Sequence, residues 1–131
     1  MPSRHVFVLE DYDSDSVFFV RAIAEIDPGT TVAVYPNAES ALAALREQTG
    51  SAPALFLIDL HLTGMDGLAF IKQARALPSY ANSPVIVLSG DLEPGLEEKA
   101  LAAGANRYYS KPVRYDDLKS LIDFCLREYA S

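Results

Sequence analysis

The stretch "LFLIDLHLTGMDG", residues 55–67, decides the fold. Four apolar residues, Leu55 to Ile58, run without interruption into Asp59, and the chain then turns through Thr63-Gly64-Met65-Asp66-Gly67. A short continuous apolar run bounded by turn residues reads as a strand buried on both faces, the mark of a parallel sheet covered by helices on each side. A carboxylate at the end of such a strand needs a reason, because burying a charge is costly unless it is paired.

Working outward, the same alternation repeats. Val6–Leu9 reads as a first strand, and residues ~14–26 carry apolar positions at helical spacing until Asp27-Pro28-Gly29 ends them. Thr31–Tyr35 reads as a second strand, and Glu39–Glu47 as a helix with Asn37 as its N-cap. After the third strand, Leu68–Leu77 is a helix stopped by Pro78. Val85–Leu88 is a fourth strand and Leu96–Ala103 a fourth helix, with Pro94 near its first turn and Gly104 past its end. Tyr108-Tyr109 marks a short fifth strand, and Tyr115–Tyr129 a last helix. Strand–helix units in series imply a parallel sheet with helices on both faces and right-handed crossovers. No linker, repeat or low-complexity stretch divides the 131 residues, so residues 1–131 are expected to form a single domain.

Bulk properties narrow the function. Half of the residues are apolar, enough for a substantial core, and no apolar run approaches the ~18 residues of a membrane span. The formal charge of −7 argues against nucleic acid or an anionic membrane as partner. The lone Cys125 excludes an internal disulfide and shares a helical stripe with Leu118, Leu121 and Ile122, so a core thiol is expected. The N-terminal residues lead straight into a strand without the features of a secretory signal, so a cytoplasmic location is expected.

The strand ends carry the chemistry. Glu10 and Asp11 follow the first strand, Asp59 the third, Ser89 the fourth and Lys111 the fifth. Parallel strands bring these ends to one edge, where open α/β sheets place their sites. If the first and third strands are neighbours, as in the flavodoxin-like order, Glu10, Asp11 and Asp59 converge. Their mutual repulsion is best relieved by a hard divalent cation, and an oxygen-only site suits Mg²⁺. A carboxylate beside Mg²⁺ and a lysine can attack phosphorus to form an acyl phosphate. Ser89 can donate a hydrogen bond to a phosphoryl oxygen, and Gly90 leaves room beside it.

Four segments, "VFVLEDYDSD", "LFLIDLHLTGMDGLAF", "PVIVLSG" and "AGANRYYSKPV", in this order and spacing, make the chain resemble the receiver domain of two-component response regulators over nearly its whole length. The resemblance implies a flavodoxin-like, doubly wound (βα)5 fold with a five-stranded parallel sheet in the order 2-1-3-4-5. It implies that Asp59 is the phosphoacceptor, that Asp11 and Asp59 bind Mg²⁺ directly, that Glu10 acts through water, and that the backbone carbonyl of His61 is a further metal ligand. It makes Ser89 the hydroxyl that senses the phosphoryl group and Lys111 the cation that contacts it. It places Tyr108 at the aromatic switch position and a cis peptide bond before Pro112. The implied donor is a phosphohistidine on a sensor histidine kinase or histidine phosphotransfer protein. The implied readout is a changed surface for a downstream protein target, with dimerisation through the fourth helix, fifth strand and fifth helix as a further option. The chain departs from the usual pattern at Thr63, Ser89 and Glu10, where proline, threonine and aspartate are common.

The expected role is a phosphorylation-dependent switch that catalyses only its own phosphorylation and dephosphorylation. The alternative is a receiver-fold docking module that works without phosphorylation. A haloacid dehalogenase phosphatase would need a second Asp where His61 stands, a flavin binder a hydroxyl- and Gly-rich loop where Glu10–Asp15 stands, and a Rossmann oxidoreductase a Gly-rich turn there. Two readings concern mobility and docking. Pro94-Gly95 begins the fourth helix, and an early glycine weakens a helix by roughly 1 kcal/mol. In the first helix, Phe18, Ala22 and Ile26, widened by Phe19 and Ile23, form the expected buried face. Val17 and Val20 lie at its edge, either as a shallow docking patch beside Asp13 and Asp15 or packed on the final helix.

Overall fold

Alternation explains the uninterrupted apolar strands, because successive residues of each strand serve opposite faces of one sheet. Phe7, Leu9, Phe56, Ile58, Val85 and Val87 point into one core, and Val6, Val8, Leu55, Leu57, Ile86 and Leu88 into another. The computed structural model describes residues 4–11, 13–47, 52–60, 66–90 and 93–130. The strands are β1 (His5–Leu9), β2 (Thr31–Tyr35), β3 (Leu55–Ile58), β4 (Val85–Ser89) and β5 (Arg107–Ser110). They form one parallel sheet in the order β2-β1-β3-β4-β5, as expected. The helices are α1 (Asp13–Ile26), α2 (Ala38–Glu47), α3 (Gly67–Ala76), α4 (Leu96–Ala103) and α5 (Tyr115–Tyr129). Helices α1 and α5 cover one face, and α2, α3 and α4 the other. Central strands β3 and β4 are buried at every position, whereas β2 and β5, at the sheet edges, are half-buried or exposed.

Local chemistry sets the helix ends. The Ser40 N–H donates to Asn37 Oδ1 at 2.7 Å, the cap expected for α2, and the Ala69 N–H donates to Asp66 Oδ1 at 2.8 Å at the start of α3. Helix α3 ends one residue earlier than expected, and Pro78 opens a single 3₁₀ turn, Pro78–Tyr80. Proline fits there because its fixed φ suits the first turn of a helix. The turn is anchored by the Tyr80 hydroxyl, which donates to Leu45 O at 3.0 Å. Gly95 lies outside α4 rather than early within it. It is the N-cap, at φ 86°, so the expected interior weakening does not arise. A left-handed φ is open to glycine and strained for most other residues.

In α1, Phe19, Ala22 and Ile23 are buried and Ile26 is half-buried, but Phe18 is 41% exposed. The expected stripe was centred one position too early, because an α-helix carries Phe18 about 100° from Phe19. The Phe18 ring lies against Tyr115 of α5 instead of entering the core, with ring centroids 5.8 Å apart.

Arg75 is a polar staple that no sequence pattern announced. Its Nη1 donates to the carbonyls of Tyr80, Ala81 and Ser83, its Nε to Gly104 O, and its Nη2 to Asn106 Oδ1. One guanidinium thus ties α3 to the 3₁₀ turn and to the segment joining α4 to β5. Cys125 is wholly buried, as expected, and burial pushes its thiol up to about 11. No described helix is long and apolar enough to cross a membrane.

Candidate functional site

The ladder of the parallel sheet continues one residue past each strand and so fixes the residues that follow. The Glu10 N–H donates to Tyr35 O at 3.1 Å, the Asp59 N–H to Leu9 O at 2.9 Å, and the Lys111 N–H to Ser89 O at 2.8 Å. These bonds hold Glu10, Asp59 and Lys111 at one sheet edge. Three carboxylates meet there. One oxygen from each of Glu10, Asp11 and Asp59 lies within 4.8 Å of the others. Glu10 and Asp59 are buried, and Asp11 is half-buried.

Lys111 supplies the opposing charge. Its Nζ donates to Glu10 Oε2 at 2.7 Å and to Asp15 Oδ2 at 3.0 Å, and lies 3.6 Å from Asp59 Oδ2. Burial pushes the Glu10 carboxyl up to about 7, against the pull of its hydrogen bond from Lys111, and the charge of Asp59 adds to the rise. Burial disfavours the charged Lys111, yet the hydrogen bond and charge of Glu10, with Asp59 and Asp15, outweigh it and hold the ammonium above its ordinary pKa. One lysine leaves this carboxylate group short of positive charge. The donor set is oxygen-only and partly desolvated, so it fits a hard divalent cation such as Mg²⁺.

Gly67 is a condition of this geometry. A Cβ there would lie 2.6 Å from the Asp59 carbonyl oxygen and 2.7 Å from Leu60 Cα, both backbone atoms. The start of α3 can therefore lie against the backbone of Asp59 and Leu60 only with glycine at position 67. A Cβ on Gly90 would meet nothing within 4 Å, which leaves open space at the end of β4.

The remaining expected residues divide. Ser89 is fully buried at the end of β4, in register with Ser110. Tyr108 is half-buried, packs against the core beneath α4, and lines an open groove of about 300 Å³ with Glu93, Leu96, Glu97, Glu98 and Ser110. His61, expected to offer its carbonyl to a metal, lies outside the described residues, as do Thr63, Gly64 and Met65 of the turn. Among the described residues there is no cis peptide bond, so the Lys111–Pro112 bond is trans, contrary to expectation. Trans is the intrinsically favoured isomer even before proline, and from it Lys111 still reaches the pocket. Asp15 was not expected to touch Lys111. No sequence periodicity links the two, because Asp15 lies in α1 and Lys111 follows β5.

Comparisons with known proteins agree with this geometry. The family profile described as "Response regulator receiver domain" matches residues 6–123. The chain is 34% identical over 122 residues to an uncharacterized 14.6 kDa protein of Leptolyngbya boryana, covering 92% of this chain and 89% of that one. It is 36% identical over 121 residues to protein-glutamate methylesterase/protein-glutamine glutaminase 1 of Cereibacter sphaeroides, and 31% identical over 124 residues to the DNA-binding transcriptional regulator NtrC of Salmonella typhimurium. These matches cover 90% and 95% of this chain but only 31% and 25% of those proteins. Among solved structures, the phosphorylated cyanobacterial phytochrome response regulator RcpA superposes with a TM-score of 0.90 at 23% identity, over 99% of this chain and 96% of that one. The receiver domain of sensor histidine kinase PA1611 from Pseudomonas aeruginosa, with a magnesium ion in its active-site cleft, superposes with a TM-score of 0.79 at 22% identity, over 99% and 100% of the two chains. At these identities the structural likeness speaks for the fold.

Proposed function

The chain belongs to the response regulator receiver domain family, and on that premise we propose that it is a phosphorylation-dependent switch with Asp59 as phosphoacceptor. The observation that carries this reading is the meeting of Glu10, Asp11 and Asp59 within 4.8 Å, with the Lys111 ammonium 3.6 Å from Asp59. In the proposed reaction an Asp59 carboxylate oxygen attacks the donor's phosphorus. The new O–P bond forms as the bond to the leaving group breaks, and that group departs with the electron pair. Asp11 and Asp59 would hold Mg²⁺ directly, Glu10 through water, and the His61 carbonyl would complete the protein ligands. When bound, Mg²⁺ would neutralise charge on the phosphoryl oxygens. Lys111 contributes a second positive charge, and Ser89 donates a hydrogen bond to the transferred group.

The donor is a histidine kinase or histidine phosphotransfer protein, the class of partner with which receiver domains interact. Its docking face is the exposed apolar side of α1. Val17 is 61% and Val20 39% exposed, so neither is a core residue, and Phe18 joins them. Val113, beside Lys111, is fully exposed and extends the face. Phosphorylation would draw Ser89 and Tyr108 toward Asp59 and alter the α4–β5–α5 surface for a downstream protein, or for a second copy of this chain.

The chemistry is tested by incubating the protein with Mg²⁺ and acetyl phosphate and measuring intact mass. One base-labile phosphoryl group on the wild type and none on Asp59→Asn is the expected result. Equal labelling of both proteins contradicts the assignment. An unlabelled wild type that nevertheless binds its partner would favour the phosphorylation-independent docking module.

A further inference from the structure

The Lys111 ammonium has three protons and more than one carboxylate asking for them. It donates to Glu10 at 2.7 Å and to Asp15 at 3.0 Å, whereas Asp59 Oδ2, at 3.6 Å, lies beyond a hydrogen bond. The cation is therefore in ion-pair reach of Asp59 but spends its hydrogen bonds on Glu10 and, in α1, on Asp15. The two holders differ. The Glu10 side chain is fully enclosed and would lose its donor inside the protein. The Asp15 side chain is 35% exposed and can turn to water at little cost. Asp15 is also the third residue of α1, where the positive end of the helix dipole favours a carboxylate charge. It stands outside the group of Glu10, Asp11 and Asp59 that converges on the cation site.

Resting on the phosphoacceptor reading above, we propose that Asp15 is a positioning residue that holds Lys111 short of a hydrogen bond to Asp59 and slows phosphorylation until the tether opens. Its carboxylate also places a fixed negative charge at the mouth of the pocket, which an anionic phosphodonor must approach. Breaking a part-exposed ion pair is a modest cost, so the tether modulates the rate and does not block the reaction. The share of Lys111 that Asp15 gives up becomes available to the phosphoryl oxygens on Asp59.

The 131-residue wild type, Asp15→Asn, Asp15→Glu and Asp59→Asn decide the matter in two measurements. The first follows the Lys111 ammonium by ¹⁵N NMR without metal or phosphodonor. Asp15→Asn should speed exchange of its protons with water, and Asp15→Glu should restore the wild-type rate. The second measures labelling by acetyl phosphate with Mg²⁺. Asp15→Asn should label about threefold to fivefold faster, and Asp15→Glu should match the wild type. A carboxylate that only stabilised the first turn of α1 would move the melting temperature and leave both readouts unchanged. Labelling of Asp15→Asn at or below the wild-type rate, or an unchanged Lys111 signal, overturns the proposal. Failure of the wild type to label, or equal labelling of Asp59→Asn, refutes the phosphoacceptor reading instead. The metal-free ammonium comparison still decides the tether in that case.

Discussion

Replacing Gly67 by alanine tests whether the start of α3 packs on the end of β3 around a missing side chain. The added Cβ would lie 2.6 Å from the Asp59 carbonyl oxygen, 2.7 Å from Leu60 Cα and 3.1 Å from Leu60 Cδ2. Two of these neighbours are backbone, and the ladder bond from the Asp59 N–H to Leu9 O, at 2.9 Å, restrains them. Overpacking typically costs about 1–3 kcal/mol, and rigid neighbours favour the upper end. Alanine recovers at most about 1 kcal/mol through its helix propensity, and less at a first helical position. The balance is a loss of about 2 kcal/mol. For a chain of this length each kcal/mol moves the melting temperature by roughly 3–5 °C, so the midpoint should fall by roughly 6–10 °C. Differential scanning calorimetry, or urea unfolding followed by circular dichroism, reads this directly. Gly90→Ala is the control, since its Cβ meets no atom, and it should stay within about 0.5 kcal/mol of the wild type. A Gly67→Ala protein that melts within a degree of the wild type would refute the close-approach argument.

Three further outcomes follow from the same geometry. Arg75→Leu should lose about 2–3 kcal/mol of stability in urea unfolding, because it strips donors from the carbonyls of Tyr80, Ala81, Ser83 and Gly104; a loss below about 0.5 kcal/mol would contradict the staple. Hydrogen bonds from Arg4 first, then Thr30 and Gly29, hold the Asp27 carboxyl below its ordinary value of 3.8, so its contribution to stability is present above that pH and fades as the pH falls through the lower folded value; Asp27→Asn should flatten the acid limb of the melting-temperature profile there, and an unchanged limb would count against the linkage. Val17→Glu with Val20→Glu should leave the melting temperature and acetyl phosphate labelling near wild type while slowing transfer from the cognate kinase about tenfold, equivalent to about 1.4 kcal/mol; a large fall in melting temperature would mark core positions instead.

How much the sequence foretold depended on the kind of signal. Leu55–Ile58 and Thr31–Tyr35 both lie where expected, the first because a parallel strand buried on both faces tolerates little but apolar residues, the second, at the sheet edge, because its β-branched and aromatic residues favour a strand. The meeting of Glu10, Asp11, Asp59 and Lys111 was equally legible, since parallel strands deliver their C-terminal ends to one edge. Angular detail was harder. Phe18 and Phe19 are adjacent in composition and a quarter-turn or more apart in space, so the buried stripe could be misplaced by one residue. Long polar side chains were hardest. Arg75 finds carbonyls on two different segments, and Lys111 turns toward Asp15, and neither partnership has a sequence periodicity to reveal it.

The most direct test of the central claim is to locate the covalent adduct itself. After treatment with acetyl phosphate and Mg²⁺, borohydride reduction converts an aspartyl phosphate to homoserine, and peptide sequencing by mass spectrometry finds the altered position. The account predicts homoserine at position 59 alone, absent when Mg²⁺ is chelated or when Lys111 is replaced by alanine. Homoserine at position 11 instead, or undiminished conversion of residue 59 without metal, would contradict it.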